Sequence, residues 1–190
     1  MPSLVADVVQ PGTLAALRQP TLSFDGVVLR PWQLADQPAV VAAYSDPDIQ
    51  RWHCRSMDDS EAAGWLAAWP ERWSTESRAG WAVTLDGAVA GQIGLRTLNF
   101  VDGEAEISYW TLPSYRGRRI APRALAAMSS WAFGSLGLHR LVVRHSMDNP
   151  ASCKVAVAAG FPAEGVQRGA LLHADGWHDM HLHARLDTDS

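Results

Sequence analysis

Between Glu104 and Leu136 the chain runs from a strand through an arginine-bearing glycine turn into a helix, and this junction constrains the fold more than any other segment. Glu104 to Thr111 has the alternation of a strand, and Leu112-Pro113-Ser114 breaks it. Tyr115-Arg116-Gly117-Arg118-Arg119-Ile120-Ala121-Pro122 then leads into a run where Leu125, Met128, Ala132 and Leu136 recur at helical spacing, up to Gly137. Pro122 sits in the first turn, where a helix tolerates proline. A helix start leaves backbone N–H groups without intrahelical partners and carries the positive end of the helix dipole. A turn of this kind is therefore suited to an anion such as a pyrophosphate. Further on, Asn149-Pro150 can cap and open a second helix, which Gly160 ends before Phe161.

The charge pattern agrees with an anion site. The formal net charge is −4, which argues against nucleic acid as a bulk electrostatic partner. Yet no Asp or Glu lies between Ile107 and Met147, while Arg116, Arg118, Arg119, Arg123, Arg140 and Arg144 all do. A net-acidic chain has gathered cations around its glycine turn.

The rest reads as one mixed domain. Val27 to Arg30 is a strand closed by Pro31. Asp36 is a candidate N-cap for a helix through Tyr44, Asp48 to Trp52 a short helix or turn, and Ser60 the start of a helix stopped by Pro70. Strands at 81–85, 89–95 and 104–111 form a meander through turns at Asp86-Gly87 and Asp102-Gly103. A strand at 141–143 precedes the Asn149 helix, and strands at 163–172 and 178–186 close the chain around Ala174-Asp175-Gly176. The fold class expected is α/β, with a mixed, mostly antiparallel central sheet flanked by helices. Residues 1–21 read as an N-terminal arm and 22–190 as the domain. No apolar run approaches membrane-spanning length, and no export signal opens the chain, so a cytoplasmic location is expected. Cys54 and Cys153 read as reduced thiols. His181 and His183 share a strand face, but no Cys, His, Asp or Glu set has zinc-site spacing, so no metal is expected.

These residues resemble the GNAT superfamily of acyl-coenzyme-A-dependent N-acyltransferases, and most closely its RimJ/RimL type. The likeness spans roughly residues 22–186. It rests on Leu29-Arg30-Pro31-Trp32 with Asp36 and Ser45-Asp46-Pro47, on Glu104 to Trp110 followed by Tyr115-Arg116-Gly117-Arg118, and on Asn149, Ser152, Gly160 and Phe161. Arg116 and Ala121 fit the ends of the family's phosphate loop, but Arg119 stands where its central glycine does, and Ser108 replaces another glycine.

The resemblance implies transfer of an acetyl or other short acyl group from acetyl-CoA to a primary amine, either a protein N-terminus or a small molecule. It also allows a homodimer. The diphosphate would lie on the backbone amides of Gly117, Arg118, Arg119, Ile120 and Ala121. The pantetheine arm would run along Tyr109, Trp110 and Thr111 and meet Asn149. Glu106 is the candidate general base, direct or through a water, and needs a raised pKa or a relay to serve. The tyrosine that many relatives use as general acid is replaced by Ala156, which leaves Ser152 as the hydroxyl for the departing thiolate; Tyr109 and Tyr115 are alternatives. Trp52, Trp65, Trp69 and Trp73 fall on the acceptor side, where helix core is the simpler reading. An acyl-CoA-binding regulatory module without turnover is the alternative from another class.

Overall fold

The computed structural model describes residues 4–189. Among them, eight strands form one sheet: β1 (Leu22–Phe24), β2 (Val27–Pro31), β3 (Ala79–Leu85), β4 (Ala88–Asn99), β5 (Glu104–Thr111), β6 (Arg140–Ser146), β7 (Ala163–His173) and β8 (Gly176–Leu186), in the order β1-β2-β3-β4-β5-β6-β8-β7. Every neighbouring pair is antiparallel except β5 and β6. The expected mixed, mostly antiparallel sheet is therefore present.

The parallel pair governs the site. It holds only over Glu104–Arg140, Ala105–Leu141 and Glu106–Val142. Beyond Glu106, β5 stays paired with β4 and β6 with β8, so the two middle strands part and β5 has an open edge up to Thr111.

Helices cover both faces. α6 (Ile120–Trp131), continued by a wide turn to Leu136 and closed by Gly137, packs Ile120, Leu125 and Met128 against Ile93, Leu95, Ala105 and Ile107. Each of the Ile, Leu and Met side chains, withdrawn from water, contributes about 1.5–3 kcal/mol. α7 (Pro150–Ala158) lies on the same face, with Ala156 and Phe161 in that core. On the opposite face, α2 (Gln37–Ser45), α3 (Pro47–His53) and α4 (Asp59–Ala67) enclose a second cluster built on Val40, Tyr44, Ile49, Leu66 and Trp110.

Three local readings are corrected. Asp36 stands at the N-cap position of α2, but its side chain makes no capping bond there; its carboxylate takes two hydrogen bonds from Arg30, at 2.8 and 2.6 Å, and one from the Gln33 amide. Pro70 opens a further helix, α5 (Trp69–Ser74), because the second helical position needs no N–H. The cap of α4 is Asp58, not Ser60: it accepts from the Glu61 amide while Glu61 reaches back. The arm contains the short helix α1 (Thr13–Ala16) and packs closely, with Val9 and Leu14 in the core, and the indoles of Trp73 and Trp81 donating to Leu17 and Pro20 carbonyls.

Candidate active site

The glycine turn ends at Arg119, the N-cap of α6, whose φ is 56°. Gly117 also has a positive φ, 76°, a conformation that glycine adopts without steric cost. Arg119 adopts the left-handed region despite its side chain, at a cost of about 1–2 kcal/mol. Among the described residues, the amides of Gly117, Arg118, Arg119, Ile120 and Ala121 donate to no other backbone or side-chain group.

Arg123 shapes this loop. Its Nη2 and Nε donate to the carbonyls of Arg118 and Arg119, at 2.7 and 3.1 Å, and its Nη1 to that of Asp25. In a trans peptide the N–H points opposite to the carbonyl, so these bonds turn the Arg119 and Ile120 amides away from Arg123.

In three dimensions the basic block thins out. Arg116 pairs with Asp46 and Asp48, at 2.6 and 2.8 Å, and ties the loop to the start of α3. Arg140 pairs with Glu104 and Glu164, Arg144 with Glu106, and Arg123 serves carbonyls. Arg118 lies over the Tyr115 ring, 5.5 Å from its centroid, and among the described residues neither it nor Arg119 meets a carboxylate.

The open edge of β5 is defined by parity. The Leu112 amide donates to the Ala90 carbonyl, so in this antiparallel ladder Trp110, paired with Gln92, also directs its backbone groups toward β4. Tyr109 and Thr111 direct theirs to the open edge. Their carbonyls accept from His53 Nε2 at 3.2 Å and Arg116 Nε at 3.3 Å, leaving their N–H groups facing the gap. The expected backbone role for Trp110 is thus corrected; its indole packs against Trp32 and Tyr44 in the second cluster. Tyr109, Trp110 and Thr111 lie against Ile120, Ala121 and Ala124 around a crevice too narrow to hold a water.

Across the gap, Asn149 caps α7 by accepting from the Ser152 amide at 3.1 Å. The Tyr109 hydroxyl lies 2.8 Å from Ser152 Oγ, so β5 and α7 present two hydroxyls together. Burial raises the Tyr109 pKa to about 12, partly offset by the Ser152 hydrogen bond.

Glu106 stands where the strands part. It is 5% exposed, and its two oxygens accept from Arg96 and Arg144, at 2.6 and 2.8 Å. Burial pushes its pKa up, but the hydrogen bonds and charges of Arg144 and Arg96 outweigh that and hold it below the ordinary glutamate value. The raised pKa expected for a direct base is absent. His53, which the sequence reading passed over, is half-buried, with Nε2 3.2 Å from the Tyr109 carbonyl. Burial, with the nearby charges of Arg96 and Arg55, brings its pKa down to about 4, so the ring is neutral. Only its place near the end of α3 marked it in the sequence.

On the other face of this region, an open groove is lined by Arg55, Met57, Glu61, Trp65 and Arg72. Trp69 and Trp73 are buried as helix core, and Trp73 meets Trp81 and Trp131 edge-on or tilted. Trp65 borders the groove, and Trp52 packs against His173 and His178.

The acetyltransferase (GNAT) domain profile matches residues 27–162. The chain belongs to the GNAT acetyltransferase family. Among its relatives, the ribosomal-protein-serine acetyltransferase of Escherichia coli is 34% identical over 96 residues, 50% of this chain and 54% of that protein. The chain thus spans about half the length of that relative. An uncharacterised N-acetyltransferase of Bacillus subtilis, YoaA, is 28% identical over 87% of this chain and 96% of its own. Among solved structures, Mycobacterium smegmatis RimJ in complex with CoA-disulfide superposes with a TM-score of 0.79 at 24% identity, covering 88% of this chain and 86% of that one. The fold is that of GNAT enzymes, and the family resemblance is to the RimJ/RimL type. No helix among the described residues is long and apolar enough to cross a membrane.

Proposed function

We propose that the chain transfers an acetyl group from acetyl-CoA to a primary amine, with a protein N-terminus as the favoured acceptor class. One observation carries this reading: a row of unengaged amides at the start of α6 leads into the open edge of β5 and ends at paired hydroxyls on Tyr109 and Ser152.

The loop amides from Gly117 to Ala121 bind the diphosphate, with the positive end of α6 and the Arg118 and Arg119 side chains adding attraction. The Tyr109 and Thr111 N–H groups hold the pantetheine arm as a neighbouring strand would, and Asn149 Nδ2, whose Oδ1 is spent on the cap, donates to it. When bound, acetyl-CoA supplies the thioester carbonyl and the leaving thiolate. A β5 amide polarises the carbonyl, and the Ser152–Tyr109 pair passes a proton to the sulfur.

Glu106 is kept ionised by its two arginines, which suits a fixed negative charge orienting a relay water better than direct proton capture. The acceptor enters from the groove bordered by Trp65 and Arg55. The name of the Escherichia coli relative, a ribosomal-protein-serine acetyltransferase, supports a protein acceptor.

The clamp on Glu106 favours one competing reading, acyl-CoA binding without turnover. An amine panel that includes ribosomal-protein N-terminal peptides, read by thiol release, tests both. Turnover with peptide amines supports the enzyme. Acetyl-CoA binding with no thiol release across the panel supports the binding module.

A further inference from the structure

Behind α7, three imidazoles and a thiol converge in a group that takes no part in the reading above. His145 on β6, Cys153 on α7, and His181 and His183 on β8 each offer one donor atom, and the four atoms lie within 4.8 Å of one another. The strand register explains the meeting. His145 is the cross-strand partner of His181, and His183 lies two residues further along the same face, so all three rings face the helix carrying Cys153.

The hydrogen bonds fix two tautomers. His145 Nδ1 lies 2.8 Å from the Ser146 carbonyl and His183 Nδ1 lies 3.0 Å from the Phe161 carbonyl. A carbonyl only accepts, so both Nδ1 atoms carry the hydrogen and both Nε2 atoms present lone pairs. His145 Nε2 is buried and has no hydrogen-bond partner. An imidazole lone pair buried without a donor is costly, and a carbonyl holding the far ring nitrogen is the arrangement found behind metal-bound histidines.

The spacings among Cys153, His181 and His183 suit a four-coordinate cation. Bonds of about 2.0–2.1 Å to nitrogen and about 2.3 Å to sulfur at tetrahedral angles separate two nitrogens by about 3.4 Å and sulfur from nitrogen by about 3.6 Å. His181 Nδ1 and His183 Nε2 are 3.2 Å apart, and Cys153 Sγ lies 3.9 and 3.7 Å from them.

We propose that His145, Cys153, His181 and His183 form a closed three-histidine, one-cysteine site for Zn²⁺ that pins α7 to β6 and β8. Four protein ligands with no open position make a structural site rather than a catalytic one. His183 Nε2 can only accept, so His181 Nδ1, 3.2 Å away, carries its hydrogen; binding releases the Cys153 thiol proton to solvent and shifts the His181 hydrogen from Nδ1 to Nε2. The site would fix the first turn of α7, where Ser152 precedes Cys153. Local spacing in the sequence pointed to no metal, because the ligands come from three elements. The other gathering of donors, His173, Asp175 and His178, is engaged at two of its three members: His178 bonds to Ser146 Oγ at 2.6 Å and to Asp175 at 2.8 Å, while His173 Nε2 is buried without a partner.

The test uses the full chain, stripped by a chelator and titrated with Co²⁺ as a spectroscopic probe, then with Zn²⁺. The expected result is one equivalent of Co²⁺ with intense four-coordinate visible bands and a thiolate-to-cobalt charge-transfer band. One equivalent of Zn²⁺ should displace it and raise the melting temperature. Cys153→Ser should abolish the charge-transfer band, His181→Gln should weaken binding at least tenfold, and His173→Gln should leave the titration unchanged. A wild-type protein with no charge-transfer band overturns the proposal, whatever the variants do. So does Co²⁺ binding that survives Cys153→Ser with His181→Gln, or binding lost in His173→Gln.

Discussion

The hydroxyl of Tyr109 lies 2.8 Å from Ser152 Oγ, joining the open edge of β5 to the first turn of α7 across the gap where β5 and β6 part. If this pair delivers a proton to the leaving thiolate, Tyr109→Phe and Ser152→Ala should each lower kcat about 100-fold. Acetyl-CoA affinity should change little. Because the two act as one unit, the double variant should be hardly slower than the slower single one. Steady-state kinetics with calorimetric acetyl-CoA binding checks this.

Arg119 holds a left-handed φ of 56° without being glycine. Arg119→Gly should relieve about 1 kcal/mol of strain and raise the denaturant midpoint accordingly. Arg119→Ala should bring no such gain, since alanine also carries a Cβ. If the Arg119 side chain assists the phosphates, both variants lose the same part of CoA affinity, and the loop geometry then accounts for the difference between them.

Glu106 links β4, β5 and β6 through Arg96 and Arg144. Glu106→Gln should cost about 1.5–3 kcal/mol, the range for hydrogen bonds to charged groups. The native pKa lies below the unfolded one, so this stabilisation is fully present above the ordinary glutamate pKa of about 4.3. It is lost as pH falls through the lowered native value. Denaturant unfolding in acid should show the wild type converging on Glu106→Gln.

Much of the fold was legible because its signals are local. Asp86-Gly87 and Asp102-Gly103 marked the meander, and Asn149-Pro150 and Gly160 bounded α7 to within a residue or two. The loop residues were legible through their place between β5 and α6. What was not legible depends on partners distant in sequence. The arginine block gave no hint that Arg144 and Arg96 close on Glu106, which strand order decides, or that Asp46 and Asp48 neutralise Arg116, which the docking of α3 against the loop decides. Pro70 reads equally well as a stop or a start. His145 and Cys153 carry no spacing signal toward His181 and His183, because β6, α7 and β8 become neighbours only in the folded sheet.

His53 is neutral, with a pKa brought down to about 4 by burial. Its unfolded value is about 6.5, so between those values the unfolded chain binds more protons and stability rises with pH. Its contribution is complete above about pH 6.5 and declines as pH drops toward 4. His53→Gln, which keeps a donor for the Tyr109 carbonyl, should flatten that part of the stability profile in thermal unfolding across this range.

The account rests on the amides between Gly117 and Ala121 receiving the diphosphate of coenzyme A. Calorimetry of acetyl-CoA against S-acetylpantetheine, which keeps the thioester arm and lacks the diphosphate, addresses this directly. Acetyl-CoA should bind at one molecule per chain and about 100-fold or more tighter, as several charge-assisted hydrogen bonds require. Equal affinities for the two, or no uptake of acetyl-CoA, would contradict it.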